Sequence, residues 1–286
     1  MPNLPKTRLL ELPYRADSLG YVRAVIDRPY PVLLSSAASP LGRYDIVSAQ
    51  PAAVIALNEQ VETGIADIAT AIATYCSDGD TSIDLPFVAG AIGLLAYHAG
   101  EQLLSIPRST AANDLRWPAL HAGIYQWALV QDHQHRRCLL VADPKLAEAR
   151  WQELSALLAG VKHAVNDTAA ATATVADSFA LTSDWQCSLP LPAYRERFAQ
   201  LQAYIRAGDC YQANLTREFC ANYRGDPWPL FGLMHKAAAA PFSAFLRRPE
   251  ADLLSASPER FIHVDNAVAT SQPIKGSRPR GHSASE

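Results

Sequence analysis

No stretch of this sequence stays apolar for the roughly 18 residues that a membrane-spanning helix needs. The longest candidate, Phe87 to Ala99, is short enough to read as a buried strand. The segment Met1-Pro2-Asn3-Leu4-Pro5-Lys6 has no apolar run of the kind a secretory signal carries, so a cytoplasmic location is the expectation. An excess of one charge is also missing. The formal net charge is −3, which gives nucleic acid no electrostatic footing as a main partner. Cysteines number only 5 (Cys76, Cys138, Cys187, Cys210, Cys220) and show no Cys-x-x-Cys spacing, so neither a zinc site nor a disulfide framework is expected. Cys210 reads as a small buried residue on a strand, with no histidine placed to activate it. His133 and His135 flank the turn Asp132-His133-Gln134-His135-Arg136-Arg137 and read as a solvated loop tip rather than as metal ligands.

What is present is globular chemistry. With 49% hydrophobic and 19% charged residues, the 286-residue chain can bury a substantial core in one large or two smaller domains. Leu9 to Leu12 and Pro31 to Ser36 read as strands, with an amphipathic helix around Leu19 to Ile26 between them. Arg43 to Ala49 alternates and continues the sheet, and Ala53 to Leu57 follows. Ile65, Ile68, Ile72 and Tyr75 recur at helical spacing, and Gly90 to Tyr97 is a strand of small residues. Ala122 to Gln131 and Arg137 to Ala142 form a hairpin, followed by a helix over Leu146 to Ala159.

The character then changes. Asn166 to Thr174 is a low-complexity stretch, so the spacing predicts a first domain over 1–165, a linker over 166–190 and a second domain from 191 onward. Pro190 and Pro192 introduce a helix with Tyr194, Phe198, Leu201 and Ile205 on one face, ended by Gly208. Cys210 to Phe219 is predicted as a strand and Trp228 to Ala239 as a helix. Four short strands follow, over Phe242 to Leu246, Leu253 to Ser257, Phe261 to Val264 and Val268 to Ser271. Meanders interrupted by helices suit an α+β sheet sandwich.

The most chemically suggestive run is Pro273-Ile274-Lys275-Gly276-Ser277-Arg278-Pro279-Arg280, a lysine on a Pro/Gly turn. One hairpin's length separates it from Ser257-Pro258-Glu259-Arg260-Phe261, which is enough to bring a carboxylate and an amine to one cleft. A desolvated lysine is a nucleophile, a nearby carboxylate can shuttle its protons, and the arginine forks suit a carboxylated substrate. The same residues also suit a solvated turn.

These runs, together with Gly208-Asp209-Cys210-Tyr211-Gln212-Ala213-Asn214-Leu215-Thr216, resemble the chorismate-utilising enzymes along the whole chain, most densely from Tyr194 to Gly281. Lysine at 275 is the mark of the aminodeoxychorismate branch, which feeds p-aminobenzoate and folate synthesis; the anthranilate branch, the alternative enzyme, is expected to carry alanine there. The resemblance implies an anthranilate-synthase-like fold of two sheets with helices outside. It also implies a reaction that turns chorismate and ammonia, supplied by a glutamine amidotransferase subunit, into 4-amino-4-deoxychorismate. Lys275 would form the covalent intermediate, Glu259 would move protons, and Ser277 (often threonine in the family), Arg278 and Arg280 would hold the substrate. The family's C-terminal half is expected to supply Mg²⁺-binding glutamates; none of those motifs is found, so no metal ligand is assigned here and the isolated chain is expected to be inactive.

A second set of residues resembles the family's amino-acid pocket, which takes tryptophan as inhibitor or as structural ligand: Leu34, Ser35, Ser36, Arg43, Tyr44 and Asp45, with Tyr211, Asn214, Pro241, Phe242 and Ser243 on the other wall. A ligand ammonium needs acceptors such as Asp45, and an indole needs aromatic walls. Ser35 stands where the inhibited enzymes carry glutamate, which argues against feedback control. Two polar strand ends at a sheet junction would produce the same pattern. A non-catalytic amino-acid-binding module remains the reading from another class, and retention of Glu259 and Lys275 weighs against it.

Overall fold

A computed structural model describes residues 6–36, 39, 42–77, 83–106, 117–161 and 179–276. Helices and antiparallel sheets together make the chain α+β. The expected linker run Asn166 to Thr174 lies outside the described residues, as do Ser277, Arg278 and Arg280. By internal contacts the chain divides into two units, one made of 1–165 and 234–286 and the other of 166–233.

The larger unit is built on a seven-stranded antiparallel sheet of order β1-β8-β7-β3-β2-β13-β14. Its strands are β1 (Arg8–Leu12), β2 (Val32–Ser35), β3 (Tyr44–Ser48), β7 (Trp127–Asp132), β8 (Arg137–Ala142), β13 (Phe242–Arg247) and β14 (Asp252–Ser257). A three-stranded sheet, order β4-β6-β5, comprises β4 (Ala53–Leu57), β6 (Leu120–Tyr125) and β5 (Gly90–Leu95). β6 and β7 are continuous through Gln126, so one run of chain passes from the small sheet to the large one. Such a corner lets two sheets face each other. Their shared core holds Val32 and Leu246 from the large sheet and Ile92 and Tyr125 from the small one. The polar ends of the large aromatics are satisfied: Tyr125 Oη donates to Tyr30 O at 2.9 Å, and Trp127 Nε1 donates to Ala49 O at 2.9 Å.

Close approach inside the small sheet requires glycine at 93. A Cβ there would lie 1.9 Å from the carbonyl oxygen of His121 on the neighbouring strand. Helix α2 (Val61–Tyr75) packs on β4 and β6, burying Val61 with Ala99, Ala119 and Leu120. Its C-terminal carbonyls are capped from outside: Lys145 Nζ donates to the oxygens of Ala73 (3.2 Å), Thr74 (3.0 Å) and Cys76 (2.7 Å). The remaining helices of the unit are α1 (Leu19–Arg23), α3 (Ala99–Leu103) and α4 (Glu148–Ala159). Among the described residues the last two strands, β15 (Arg260–Asp265) and β16 (Val268–Gln272), pair only with each other.

The second unit holds β9 (Phe179–Leu181), β10 (Gln186–Cys187), α5 (Leu191–Ala207), β11 (Phe219–Cys220) and β12 (Tyr223–Gly225), and α6 (Trp228–Ala238) leads out of it. The sequence predicts α5 closely, including its stop at Gly208, whose φ of +84° is the left-handed turn glycine takes at a helix end. The strand predicted over Cys210 to Phe219 is not formed. Only Phe219–Cys220 pairs, with Gln186–Cys187, and Cys210 is half-buried outside any strand. The alternating residues of that segment find no sheet edge among the described residues, so periodicity alone does not make them a strand. No described helix is long and apolar enough to cross a membrane.

His121 carries the sharpest buried polar cost in this scaffold. It is 4% exposed, stacks on Tyr30 with ring centroids 5.8 Å apart, and neither ring nitrogen has a hydrogen-bond partner among the described residues. Burial, with Arg248 nearby, holds its pKa down to about 4. Its contribution to stability is therefore whole above the unfolded value near 6.5 and is lost as pH falls through about 4. Thermal melts between pH 7 and 4 should show an acid limb worth on the order of 3 kcal/mol that is absent in His121→Leu. Parallel acid limbs in the two proteins would refute this assignment.

Candidate active site and amino-acid pocket

Glu259 and the lysine turn are brought together by the β15–β16 hairpin. Its turn places Asn266 and Ala267 at φ values of +47° and +63°, the left-handed pair of a tight two-residue connection. Arg260 pairs with Gln272 across the strands, so the residues just outside the hairpin, Glu259 on one side and Pro273-Ile274-Lys275 on the other, emerge side by side. Glu259 N donates to Ser257 Oγ at 3.3 Å, and Ile274 N donates to Glu259 Oε1 at 3.3 Å, which turns the carboxylate toward the lysine turn. Both Glu259 and Lys275 are exposed.

The second constellation grows from the pairing of β2 with β3 and β13. Ser35 lies opposite Ser243 and Leu34 opposite Ala244, while Leu34 also faces Ile46. This register gathers Leu34, Ser35, Ser36, Tyr44, Asp45, Pro241, Phe242 and Ser243 at one end of the large sheet. Arg43 is turned toward the β7–β8 turn, with Nη2 2.7 Å from Asp132 Oδ2 and its guanidinium carbon 4.5 Å from the Tyr44 ring centroid. Tyr211 and Asn214 belong to the other unit, where both are exposed, Tyr211 by 93%.

Asp45 is wholly buried, and its oxygens receive the chain's own donors. Oδ1 accepts from Ser35 Oγ (2.8 Å) and Ser36 N (2.8 Å), and Oδ2 accepts from Ser18 Oγ (2.7 Å). His133 Nε2 stands 3.2 Å from Oδ1 as an ion-pair partner. Burial alone would raise the Asp45 pKa; the His133 imidazole and the serine hydroxyls outweigh it and hold the carboxyl below its usual range. The same carboxylate raises the His133 pKa against desolvation. Ser35 Oγ also lies 2.9 Å from Nε2 of His235, whose pKa burial lowers. Behind Ser18, Gln131 Nε2 donates to the serine hydroxyl at 2.7 Å and Gln131 Oε1 accepts from Arg15 N at 2.8 Å.

This geometry corrects one expectation and adds residues the sequence did not single out. His133 is no solvated tip: its side chain is 15% exposed and held between Asp45 and the Tyr14 hydroxyl, 3.0 Å from Nδ1. His135, 56% exposed, does sit at the tip. Ser18, Gln131 and His235 were missed. The available signal was a polar residue interrupting an apolar run, Gln131 in Trp127-Ala128-Leu129-Val130-Gln131 and His235 in Phe231-Gly232-Leu233-Met234-His235. The two constellations also adjoin. Phe242 pairs with Ser257, and the Arg260 guanidinium lies over the Phe242 ring at 5.0 Å.

Residues 30–286 match the family described as chorismate binding enzyme. The chain is 37% identical over 289 residues to aminodeoxychorismate synthase component 1 of Klebsiella aerogenes, a match covering 95% of this chain and 60% of that protein. Against aminodeoxychorismate synthase component 1 of Escherichia coli (strain K12) the identity is 36%, again over 95% of this chain and 60% of the relative. Anthranilate synthase component 1 3 of Haloarcula marismortui is 30% identical, over 73% of this chain and 42% of that protein. The chain thus spans about 60% of the length of the aminodeoxychorismate relatives. In fold it is similar to anthranilate synthase component I from Streptococcus pneumoniae TIGR4, with TM-score 0.62 and 18% identity over 82% of this chain and 54% of that one.

Replacing Asp45 with Asn should cost about 3–5 kcal/mol, the usual result of stripping one member from a buried charged pair. His133 adds stability that is full below its unfolded pKa and fades as pH rises through its raised folded value. Asp45→Asn should therefore also flatten the alkaline side of the stability profile and return the His133 NMR titration toward ordinary imidazole. An unchanged His133 titration would sink the pairing.

Proposed function

This chain belongs to the chorismate binding enzymes, and on that premise we propose that it is the larger part of an aminodeoxychorismate synthase component 1. It would act on chorismate with ammonia from a glutamine amidotransferase partner. The observation that carries the reading is the hairpin that sets Glu259 against Pro273-Ile274-Lys275, with Ile274 N on Glu259 Oε1 at 3.3 Å. The relatives at 36–37% identity support the same branch, and Lys275 favours it over anthranilate formation.

In this reading the neutral Lys275 amine attacks ring C2 of chorismate. The ring double bond shifts, the C4–O bond breaks, and Glu259 donates the proton with which the 4-hydroxyl leaves as water. Ammonia then adds at C4, the lysine is expelled from C2, and a proton returns to Glu259 from the incoming nitrogen. Ser277, Arg278 and Arg280 would hold the substrate carboxylates. Among the described residues no group of three or more His, Cys, Asp or Glu side chains is placed to hold a metal ion.

The neighbouring pocket would hold tryptophan as a structural ligand, its indole against Leu34, Tyr44 and Phe242. Asp45 already holds the hydroxyls of Ser18 and Ser35 and the amide of Ser36. A ligand ammonium would accordingly turn to backbone carbonyls and to the Ser36 and Ser243 hydroxyls. Calorimetric titration with tryptophan tests this; heat no greater than dilution would leave the pocket a plain sheet junction.

The reaction is tested by assaying the full-length protein with chorismate, ammonium and Mg²⁺ and identifying the product by mass. Aminodeoxychorismate is expected. Lys275→Ala should abolish the covalent adduct and lower turnover by about 10³-fold or more, and Glu259→Gln by about 10²–10⁴-fold. Anthranilate as product, or an adduct mapped to another residue, would overturn the assignment.

A further inference from the structure

Glu259 is exposed, but the chain is tied down on both sides of it, each time at Phe242. On the upstream side Ser257 pairs with Phe242 in the β13–β14 ladder. The serine hydroxyl then closes a small turn, accepting from Glu259 N at 3.3 Å and donating to Glu259 O at 3.1 Å. On the downstream side the Arg260 guanidinium carbon lies 5.0 Å from the centroid of the Phe242 ring.

Two features of β15 show that the Arg260 contact is built rather than incidental. The first is burial. Arg260 is half-buried, whereas the other five residues of the strand, Phe261 and Ile262 among them, are exposed. A charged side chain is covered here while its apolar neighbours are not, the reverse of the ordinary partition. The second is a bulge. Between the pairs Arg260–Gln272 and His263–Thr270, two residues of β15, Phe261 and Ile262, stand opposite the single residue Ser271 of β16. In an unbroken ladder Phe261 would face Gln272 and Arg260 would face Pro273. The extra residue moves Arg260 into the place of Phe261, and so to the other side of the strand, which is how the guanidinium reaches Phe242.

We propose that Arg260 is a positioning residue for Glu259. Clamped on Phe242, it holds the carboxylate at the lysine turn, where Oε1 accepts from Ile274 N at 3.3 Å. It needs no contact with the substrate to act. Without the clamp Glu259 is held from the Ser257 side only, and a small displacement of a proton donor is costly in rate. The proposal rests on the reading of Glu259 as the proton donor beside Lys275.

Kinetics of the full-length protein with chorismate, ammonium and Mg²⁺ test it. Arg260→Gln should lower kcat by about 10-fold or more and leave KM for chorismate within about twofold. Arg260→Lys should recover most of the loss, because an ammonium also sits over an aromatic face. Phe242→Leu should mimic Arg260→Gln, and the two together should cost no more than either alone. In a Glu259→Gln background Arg260→Gln should change kcat by less than about twofold, since its effect passes through the carboxylate. A second readout uses this chain without substrate. The Ile274 amide proton should shift in NMR spectra as the Glu259 carboxyl titrates; Glu259→Gln and Arg260→Gln should both abolish that shift, and Arg260→Lys should keep it. A rise in KM with kcat kept would make Arg260 a substrate ligand and overturn the proposal. So would an undiminished loss in the Glu259→Gln background, or an unchanged Ile274 titration in Arg260→Gln. No aminodeoxychorismate from the wild-type protein, with the Ile274 pattern as expected, would count against the reaction and leave the clamp standing.

Discussion

A single buried carboxylate sets the geometry of the larger unit. Asp45 sits on β3, takes donors from the end of β2 and from the entrance to α1, and has His133 of the turn after β7 at ion-pair distance, while Ser35 passes the network on to His235 of α6. Removing a charge from water is tolerable only when its partners are in place, and here they come from chain segments far apart in sequence. The network thus specifies how the sheet, the first helix and the β7–β8 turn meet, in a way that apolar packing of interchangeable aliphatics would not. The imidazole of His133 belongs to this network, and the apparent loop tip is part of the interior.

The candidate active site depends on this frame indirectly. β13 lies between β2 and β14, so the position of β2 fixes that of Phe242, and Phe242 fixes Ser257 across the ladder. Two residues beyond Ser257 stands Glu259. The contact of Arg260 with the Phe242 ring closes the link from the pocket side. A ligand or substitution that moved the β2 end would displace the carboxylate beside the lysine turn by the same path.

Much of this was legible in the sequence because the responsible residues act locally. The alternation of Phe242 to Leu246 and Leu253 to Ser257 and the glycine stop at 208 are short-range instructions, and the observed elements follow them within one or two residues. The unread part is nonlocal. The pattern at Cys210 to Phe219 resembles a strand, but a strand needs an edge to pair with, and alternation does not announce whether one is available. His133 likewise looks solvated until β3 brings Asp45 beneath it. The closeness of Glu259 to the Lys275 turn was legible because their spacing matches one hairpin, whereas Ser18 and His235 reach one network from positions 217 residues apart, and no local signal joins them.

The place of β13 also bears on the order of assembly during synthesis. Its neighbours in the sheet are β2, some 210 residues earlier, and β14, which follows directly. While the ribosome is still making the intervening chain, β2 can pair with β3 alone and keeps its other edge open. That edge lies beside Leu33 and Leu34, an apolar stretch of the kind that recruits stray strands. Pairings between residues this far apart in sequence form slowly because the loop must close before the contacts repay it. The newly made N-terminal portion therefore waits on the ribosome with its central sheet unfinished, and the vulnerable interval ends only when residues near 246 have emerged.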